Sequence, residues 1–139
     1  MADLSITAAN VLASGSAITV RGVAGATIAR GQAVYLDSAD SKYKLADTNS
    51  ATAAVRNVVG IALCDAANNQ PIVICTEDAD FTPGATLTAG ERYYLSATAG
   101  GIMPSGDLAS GDYPAFLFVA TSATKAVFKI VKGTAAIPI

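Results

Sequence analysis

One thirteen-residue frame occurs twice in this chain, and an internal repeat constrains a fold more tightly than composition does. The first copy reads Gly25-Ala26-Thr27-Ile28-Ala29-Arg30-Gly31-Gln32-Ala33-Val34-Tyr35-Leu36-Asp37. The second reads Gly84-Ala85-Thr86-Leu87-Thr88-Ala89-Gly90-Glu91-Arg92-Tyr93-Tyr94-Leu95-Ser96. They share Gly-Ala-Thr-(Ile/Leu)-x-x-Gly-x-x-x-Tyr-Leu and lie 59 residues apart. That spacing is too long for a solenoid turn and too short for a typical separate domain. Each copy has the grammar of a tight turn feeding a strand. Its second glycine can take a positive φ, and the run into Tyr-Leu has strand-forming residues.

The segments downstream of the two copies correspond as well. After the first come a turn at Asp37 to Ser41, a short strand Lys42-Tyr43-Lys44-Leu45 and a polar loop from Asp47 to Thr52. A β-branched run from Val55 to Leu63 is next, interrupted by Gly60, which signals a bulge or a close backbone approach. The Asn68-Asn69-Gln70-Pro71 turn then leads to Ile72-Val73-Ile74-Cys75. After the second copy the order is a turn at Ala97 to Gly101, Ile102-Met103, a polar loop from Pro104 to Asp112, Ala115 to Ala120, a turn at Thr121 to Lys125, and Ala126 to Val131. Gly31 and Gly90 should therefore take equivalent backbone positions, and Tyr35 and Tyr94 equivalent core positions. The acidic cluster Glu77-Asp78-Ala79-Asp80 reads as a solvated turn between the halves.

No stretch sustains a helical period, and strands separated by Gly/Asn/Ser/Pro turns predict an all-β fold. The expected architecture is a compact β-barrel or sandwich built from two pseudo-repeated halves, about 25–76 and 84–132, each too small to bury a core alone. Residues 25–139 form the single β domain. Residues 1–24 form an extended N-terminal arm with the first strands, Leu4-Ser5-Ile6-Thr7 and Ile18-Thr19-Val20-Arg21 being alternating stretches. Ala8 to Ala13 is ambiguous between a helical turn and an extended arm. The tail, residues 133–139, reads as a final edge strand or a contact peptide.

Charged residues make up 14% of the 139, against about 25% in ordinary globular proteins. A membrane span would need an uninterrupted apolar run of roughly 18 residues or more, and none exists. The remaining explanation is a surface covered by partners. The net charge of −2 and the scattered Lys and Arg give no footprint for direct nucleic-acid binding. The N-terminus lacks a secretory pattern, which points to synthesis in a cytoplasm.

Chemistry is poorly provided for. The chain has no histidine, which removes the commonest general base and metal ligand and with it any Ser–His–Asp or Cys–His site. Cys64 and Cys75 flank the Asn68–Pro71 turn, and hairpin register would set Cys64 nearer Ile72 than Cys75, which suits packing better than a disulfide. Glu77 to Asp80 lacks the further ligands of a calcium loop. Gly22-Val23-Ala24-Gly25 and Gly100-Gly101 read as turn glycines without a phosphate-binding fingerprint around them. Tyr35, Tyr43, Tyr93, Tyr94, Phe116, Phe118 and Phe128 fall on strand positions and read as core. The expectation is a non-enzyme with no catalytic residues, cofactor or metal.

Several strings together resemble a known family. They are Met1-Ala2-Asp3-Leu4-Ser5-Ile6-Thr7, the first frame copy, Lys44-Leu45-Ala46-Asp47, Val58-Val59-Gly60-Ile61-Ala62-Leu63 and Tyr94-Leu95-Ser96-Ala97-Thr98-Ala99-Gly100-Gly101-Ile102. The chain is similar over nearly its whole length to the capsid decoration (cement) proteins of tailed bacteriophages. The resemblance implies a β-rich, β-tulip-like domain, often trimeric, on the outer surface of the head, where it holds the expanded shell against the packaged genome. The implied partners are the major capsid protein and further copies of the chain, with no nucleic acid and no membrane. The family has no catalytic residues to carry over.

The favoured contact element is the arm, with Leu4, Ile6, Val11 and Leu12 as its apolar residues. Deleting residues 1–12 should then leave a folded protein that no longer binds shells. The alternative is a receptor- or glycan-binding head-fibre or tail module, against which stands the lack of any coiled-coil or collagen-like stalk.

Overall fold

The computed structural model describes residues 3–132, so the tail from 133 to 139, with its expected edge strand, lies outside the described residues. The strands are β1 (Val11–Leu12), β2 (Ile18–Val23), β3 (Ala33–Asp37), β4 (Lys42–Leu45), β5 (Val58–Ala62), β6 (Pro71–Pro83), β7 (Arg92–Leu95), β8 (Ile102–Pro104), β9 (Ala115–Ala120) and β10 (Ala126–Lys132). Single helical turns stand at Ala8–Asn10, Ala53–Arg56 and Ser105–Asp107. The fold is all-β and antiparallel throughout its ladders, in the order β4-β3-β5-β6-β10-β9-β7-β8.

That order is palindromic, and the register shows why. Val34, Tyr35 and Leu36 face Leu45, Lys44 and Tyr43; Tyr93, Tyr94 and Leu95 face Pro104, Met103 and Ile102. Every partner in the second set lies 59 residues beyond its counterpart in the first. Val34 faces Gly60 and Tyr35 faces Val58, with a bulge between them. Tyr93 faces Phe118 and Tyr94 faces Phe116, with a bulge at the same place. Gly31 (φ 96°) and Gly90 (φ 85°) both take the left-handed region that glycine alone enters without strain. The Gly31 N–H donates to the Ala62 carbonyl at 2.8 Å, and the Gly90 N–H to the Ala120 carbonyl at 2.7 Å. From Gly31 and Gly90 onward the two frame copies thus do the same backbone work, whereas their first glycines differ, Gly84 taking a positive φ (80°) and Gly25 not.

β6 is the strand both halves share. Cys75 is paired with Thr19 on one edge and Ile61 on the other. Glu77 is paired with Ile18 on one edge and Lys129 on the other. β5 and β10 therefore leave β6 along the same edge, one after the other, and the two half-sheets diverge to face each other. The main core fills the space between them: Tyr35, Val58, Ile61 and Cys75 from the first half-sheet, and Tyr93, Leu95, Leu117, Phe118 and Phe128 from the second. Phe81 sits at its centre, 5.3 Å from Phe128 and 6.4 Å from Phe118 between ring centroids.

A second, smaller core (Ala24, Ile28, Val34, Tyr43, Ala62, Ala66, Ile72 and Ile74) fills the other face of the first half-sheet. β2 helps to enclose it: it pairs with β6, and just past its end Ala24 and Gly25 meet Tyr43 of β4. Gly22 belongs to this strand, paired with Ile72, and not to a turn; a Cβ there would strike the Tyr43 ring.

Three further expectations change. Glu77 to Asp80 lies within β6 and is no turn; Asp78 is buried because three hydrogen-bond donors satisfy it. The Val55 to Leu63 run splits into a helical turn ending at Arg56 and a strand starting at Val58. Tyr35 and Tyr94 share a ladder position but not an environment, Tyr35 being buried and Tyr94 half-buried. The next residues reverse this: Leu36 is 44% exposed and Leu95 0%. The halves present opposite faces to the common core, so a conserved register yields unlike burial. Gly60 behaves as read from the sequence: a Cβ there would overlap the Ile74 side chain and stand 2.5 Å from the Cys75 carbonyl oxygen.

Candidate functional site

The arm residues singled out from the sequence have unequal fates. Val11 is 0% exposed and belongs to the main core, and Leu4 and Ile6 pack against that core half-buried. Leu12 alone points outward, at 54% exposure. The arm is no free peptide, because it is stitched down along its length. The Ser96 hydroxyl donates to Asp3 at 2.6 Å. The Leu4 N–H donates to the Ile102 carbonyl and the Thr7 N–H to the Gly84 carbonyl, each at 2.8 Å. β1 pairs with the end of β6, Val11 opposite Pro83 and Leu12 opposite Thr82. This corrects the expectation of an extended arm whose apolar residues are free for a partner: three of the four are used to close the core of their own chain.

Asp78 fastens the end of the arm. Its carboxylate accepts from the Ser14 N–H at 2.7 Å, from the Ser14 hydroxyl, and from the Asp80 N–H at 3.0 Å. Burial would raise its pKa, but these hydrogen bonds and the Lys125 charge outweigh it and hold the carboxyl below its ordinary value. The polar loops of the two halves are tied at another point. Thr48 donates through its hydroxyl to the Tyr113 carbonyl at 2.5 Å, and the Arg56 guanidinium lies 3.7 Å from the Tyr113 ring centre.

Among the described residues, two strands carry exposed apolar side chains that no described element covers. β2 has no buried residue: Ile18, Val20 and Val23 are exposed at 53%, 37% and 38%. Its only ladder is with β6, which leaves the outer edge of Ile18 to Arg21 without a strand partner among the described residues. Natural edges of this kind are usually guarded by charge, proline or a bulge; here Arg21 is the only charge on the strand. The second surface is on β10, where Val127 and Val131 are 39% and 61% exposed. Sequence reading missed both. Ile18 and Val20 alternate as a half-buried strand would, and nothing local reveals that no described element covers them.

A groove of about 460 Å³ runs between the arm and the end of β6, lined by Ser5, Thr7, Asn10, Leu12, Thr82 and Thr86 among others. It offers hydroxyls and one amide, with no charge and no aromatic ring among its lining residues. Cys64 and Cys75 are both free thiols. Burial first, and the nearby Asp78 second, push the Cys75 thiol up to about 12, so it is protonated at neutral pH. Among the described residues no group of three or more His, Cys, Asp or Glu is placed to hold a metal ion. No helix among them is long and apolar enough to cross a membrane.

No protein-family model matches the chain, and a search of curated proteins finds no match to it.

Proposed function

We propose that this chain is a structural virion protein that binds the outer surface of a tailed-phage head and stabilises the expanded shell. Its partners in this reading are the major capsid protein and further copies of itself, as a trimer. The observation that carries it is β2: a strand with three exposed aliphatic side chains, a single charge at Arg21 and an outer edge that no described strand pairs. Such an edge offers main-chain hydrogen bonds to an extended partner segment, and alternate side chains add specificity. The sequence resemblance points to the same role, and repeated weak sites on a symmetric shell would supply avidity.

The test is co-sedimentation of the purified protein with shells assembled from the capsid protein encoded in the same genome, before and after expansion. Saturable binding to expanded shells, with a raised disruption temperature, is the expected result. Ile18→Asp/Val20→Asp should fold normally and bind more weakly. Absence of binding to either form of shell would refute the reading.

A glycan-binding role has one observation in its favour, the hydroxyl-lined groove beside Asn10. A saturable glycan-array signal lost in Asn10→Ala would support it over the shell reading.

A further inference from the structure

We infer that the outer edge of β2 accepts an extended acidic segment of a partner protein as an added strand, with a carboxylate opposite Arg21. The main-chain bonds around β2 fix which of its groups are free. The Ala24 N–H donates to the Gln70 carbonyl at 2.8 Å, and the Ala24 carbonyl accepts from the Asn69 N–H at 2.7 Å. The Ile18 carbonyl accepts from the Thr76 hydroxyl at 3.1 Å. Both ends of the strand thus point these groups at the β6 side. Alternation gives Val20 and Gly22 the same direction and turns Thr19 and Arg21 the other way. The register of β6 agrees. Val73, opposite Arg21, accepts from the Leu63 N–H at 2.8 Å, on the edge away from β2.

The N–H and carbonyl groups of Thr19 and Arg21 therefore face outward, and no strand among the described residues pairs with them. This edge is continuous with one already in use. Just past β2 the Gly25 N–H donates to the Tyr43 carbonyl at 2.7 Å on that same outer side. β4 takes the edge beyond Val23, and Ile18 to Arg21 is the part left open.

Side chains decide what fits there. Ile18 and Val20 lie on one face of the strand, and Thr19, Arg21 and Val23 on the other, all five exposed. Arg21 has no ion pair among the described residues: Asp37 and Asp40 of the β3–β4 hairpin both hold Lys44, and Asp80 faces Lys125. Lys42, whose side chain crowds Gly25 where β4 takes over the edge, bonds the Asn69 amide oxygen at 2.5 Å and has no carboxylate among those pairs. Two cations beside an open edge call for an acidic segment, with aliphatic residues against Ile18 and Val20 and a carboxylate against Arg21. A second copy is a poor occupant, because two β2 strands paired edge to edge would bring their Arg21 side chains together.

The inference deepens the shell reading and rests on it only for the identity of the partner. Fluorescence anisotropy of the full chain with capped, labelled heptapeptides provides the test. In the first peptide valines alternate with threonine, glutamate and threonine, a pattern that reads the same in both directions. In the second, lysine replaces the glutamate. The glutamate peptide should bind saturably, with a dissociation constant up to about 1 mM. The lysine peptide should bind about fivefold to tenfold more weakly. Thr19→Pro removes an outward N–H and no bond to β6, so its melting temperature should stay close to that of the parent. Its affinity for the glutamate peptide should fall about tenfold or more. Arg21→Glu, which alters no main-chain group, should reverse the preference. No saturable binding of the glutamate peptide overturns the inference. So does equal affinity of the parent for both peptides, an unchanged preference in Arg21→Glu, or an unchanged affinity in a folded Thr19→Pro. Co-sedimentation with expanded shells separates the two readings. A parent chain that binds shells but not the glutamate peptide overturns the added strand and leaves the shell reading in place. One that binds the peptide and ignores shells supports the added strand and counts against the shell.

Discussion

Removing the arm should unfold much of the protein, not merely silence a contact. Deleting residues 1–12 takes away Val11, which is fully buried, and Leu4 and Ile6, which are half-buried against the same core. Burying an aliphatic side chain contributes about 1.5–3 kcal/mol, and half-burial about half of that. Val11 then accounts for roughly 2 kcal/mol, and Leu4 and Ile6 for about 1 each. The Asp3–Ser96 bond and the backbone bonds from Leu4 and Thr7 add roughly 1–2 more. A loss of about 5–6 kcal/mol is comparable with the entire stability of many domains. For a chain of this size each kcal/mol moves the melting temperature by about 3–5 °C. Calorimetry or thermal circular dichroism should therefore show a drop of at least about 15 °C, or no cooperative transition. Val11→Ala should lower stability by about 1–2.5 kcal/mol, while Leu12→Ala, at an exposed site, should change it by less than about 0.5 kcal/mol. A deletion variant that melts within a few degrees of the parent would refute the reasoning and restore the arm as a free peptide.

Single positions carry further expected outcomes. Gly31 and Gly90 share a positive φ, but a Cβ on Gly31 would stand 2.8 Å from Ile6 and 2.9 Å from Val11, while Gly90 has open space. Gly90→Ala should cost about 1–2 kcal/mol of backbone strain, and Gly31→Ala at least about 1 kcal/mol more, measured by urea denaturation. Gly60→Ala should cost more than about 2 kcal/mol, because the Cys75 backbone cannot give way as a side chain could. The Asp78 carboxyl titrates below its ordinary value of 3.8 in the folded chain. Its stabilisation is therefore complete above that value and disappears as the pH falls through the lower, folded one. Stability measured from pH 7 to pH 2 should fall less steeply in Asp78→Asn than in the parent, and parallel curves would show that the clasp contributes nothing.

Much of the fold is legible in the sequence because both halves spell it out locally. The glycines at 31 and 90, the short β4 and β8 returns and the bulge near Gly60 are each set by a few neighbouring residues. Long-range pairing is harder to read. Glu77 to Asp80 looks like a solvated turn until Ser14, more than sixty residues away, supplies the donors that let Asp78 enter a strand. The arm looks free for a related reason: Leu4, Ile6 and Val11 have apolar side chains either way, and only tertiary packing decides whether a partner or the chain's own core receives them. Opposite faces of a strand carry similar residues in this aliphatic chain, so the inversion that buries Tyr35 and leaves Tyr94 half-open has no local signature. The same holds for β2, whose alternation suits burial as well as exposure.

The most direct test of the role proposed for this chain is electron cryomicroscopy of expanded shells, made from the capsid protein encoded in the same genome and incubated with the purified chain. The account predicts ordered density on the outer surface at symmetry-related positions, with β2 buried in contacts. Shells that remain bare at saturating protein, or density on their inner surface, would contradict it.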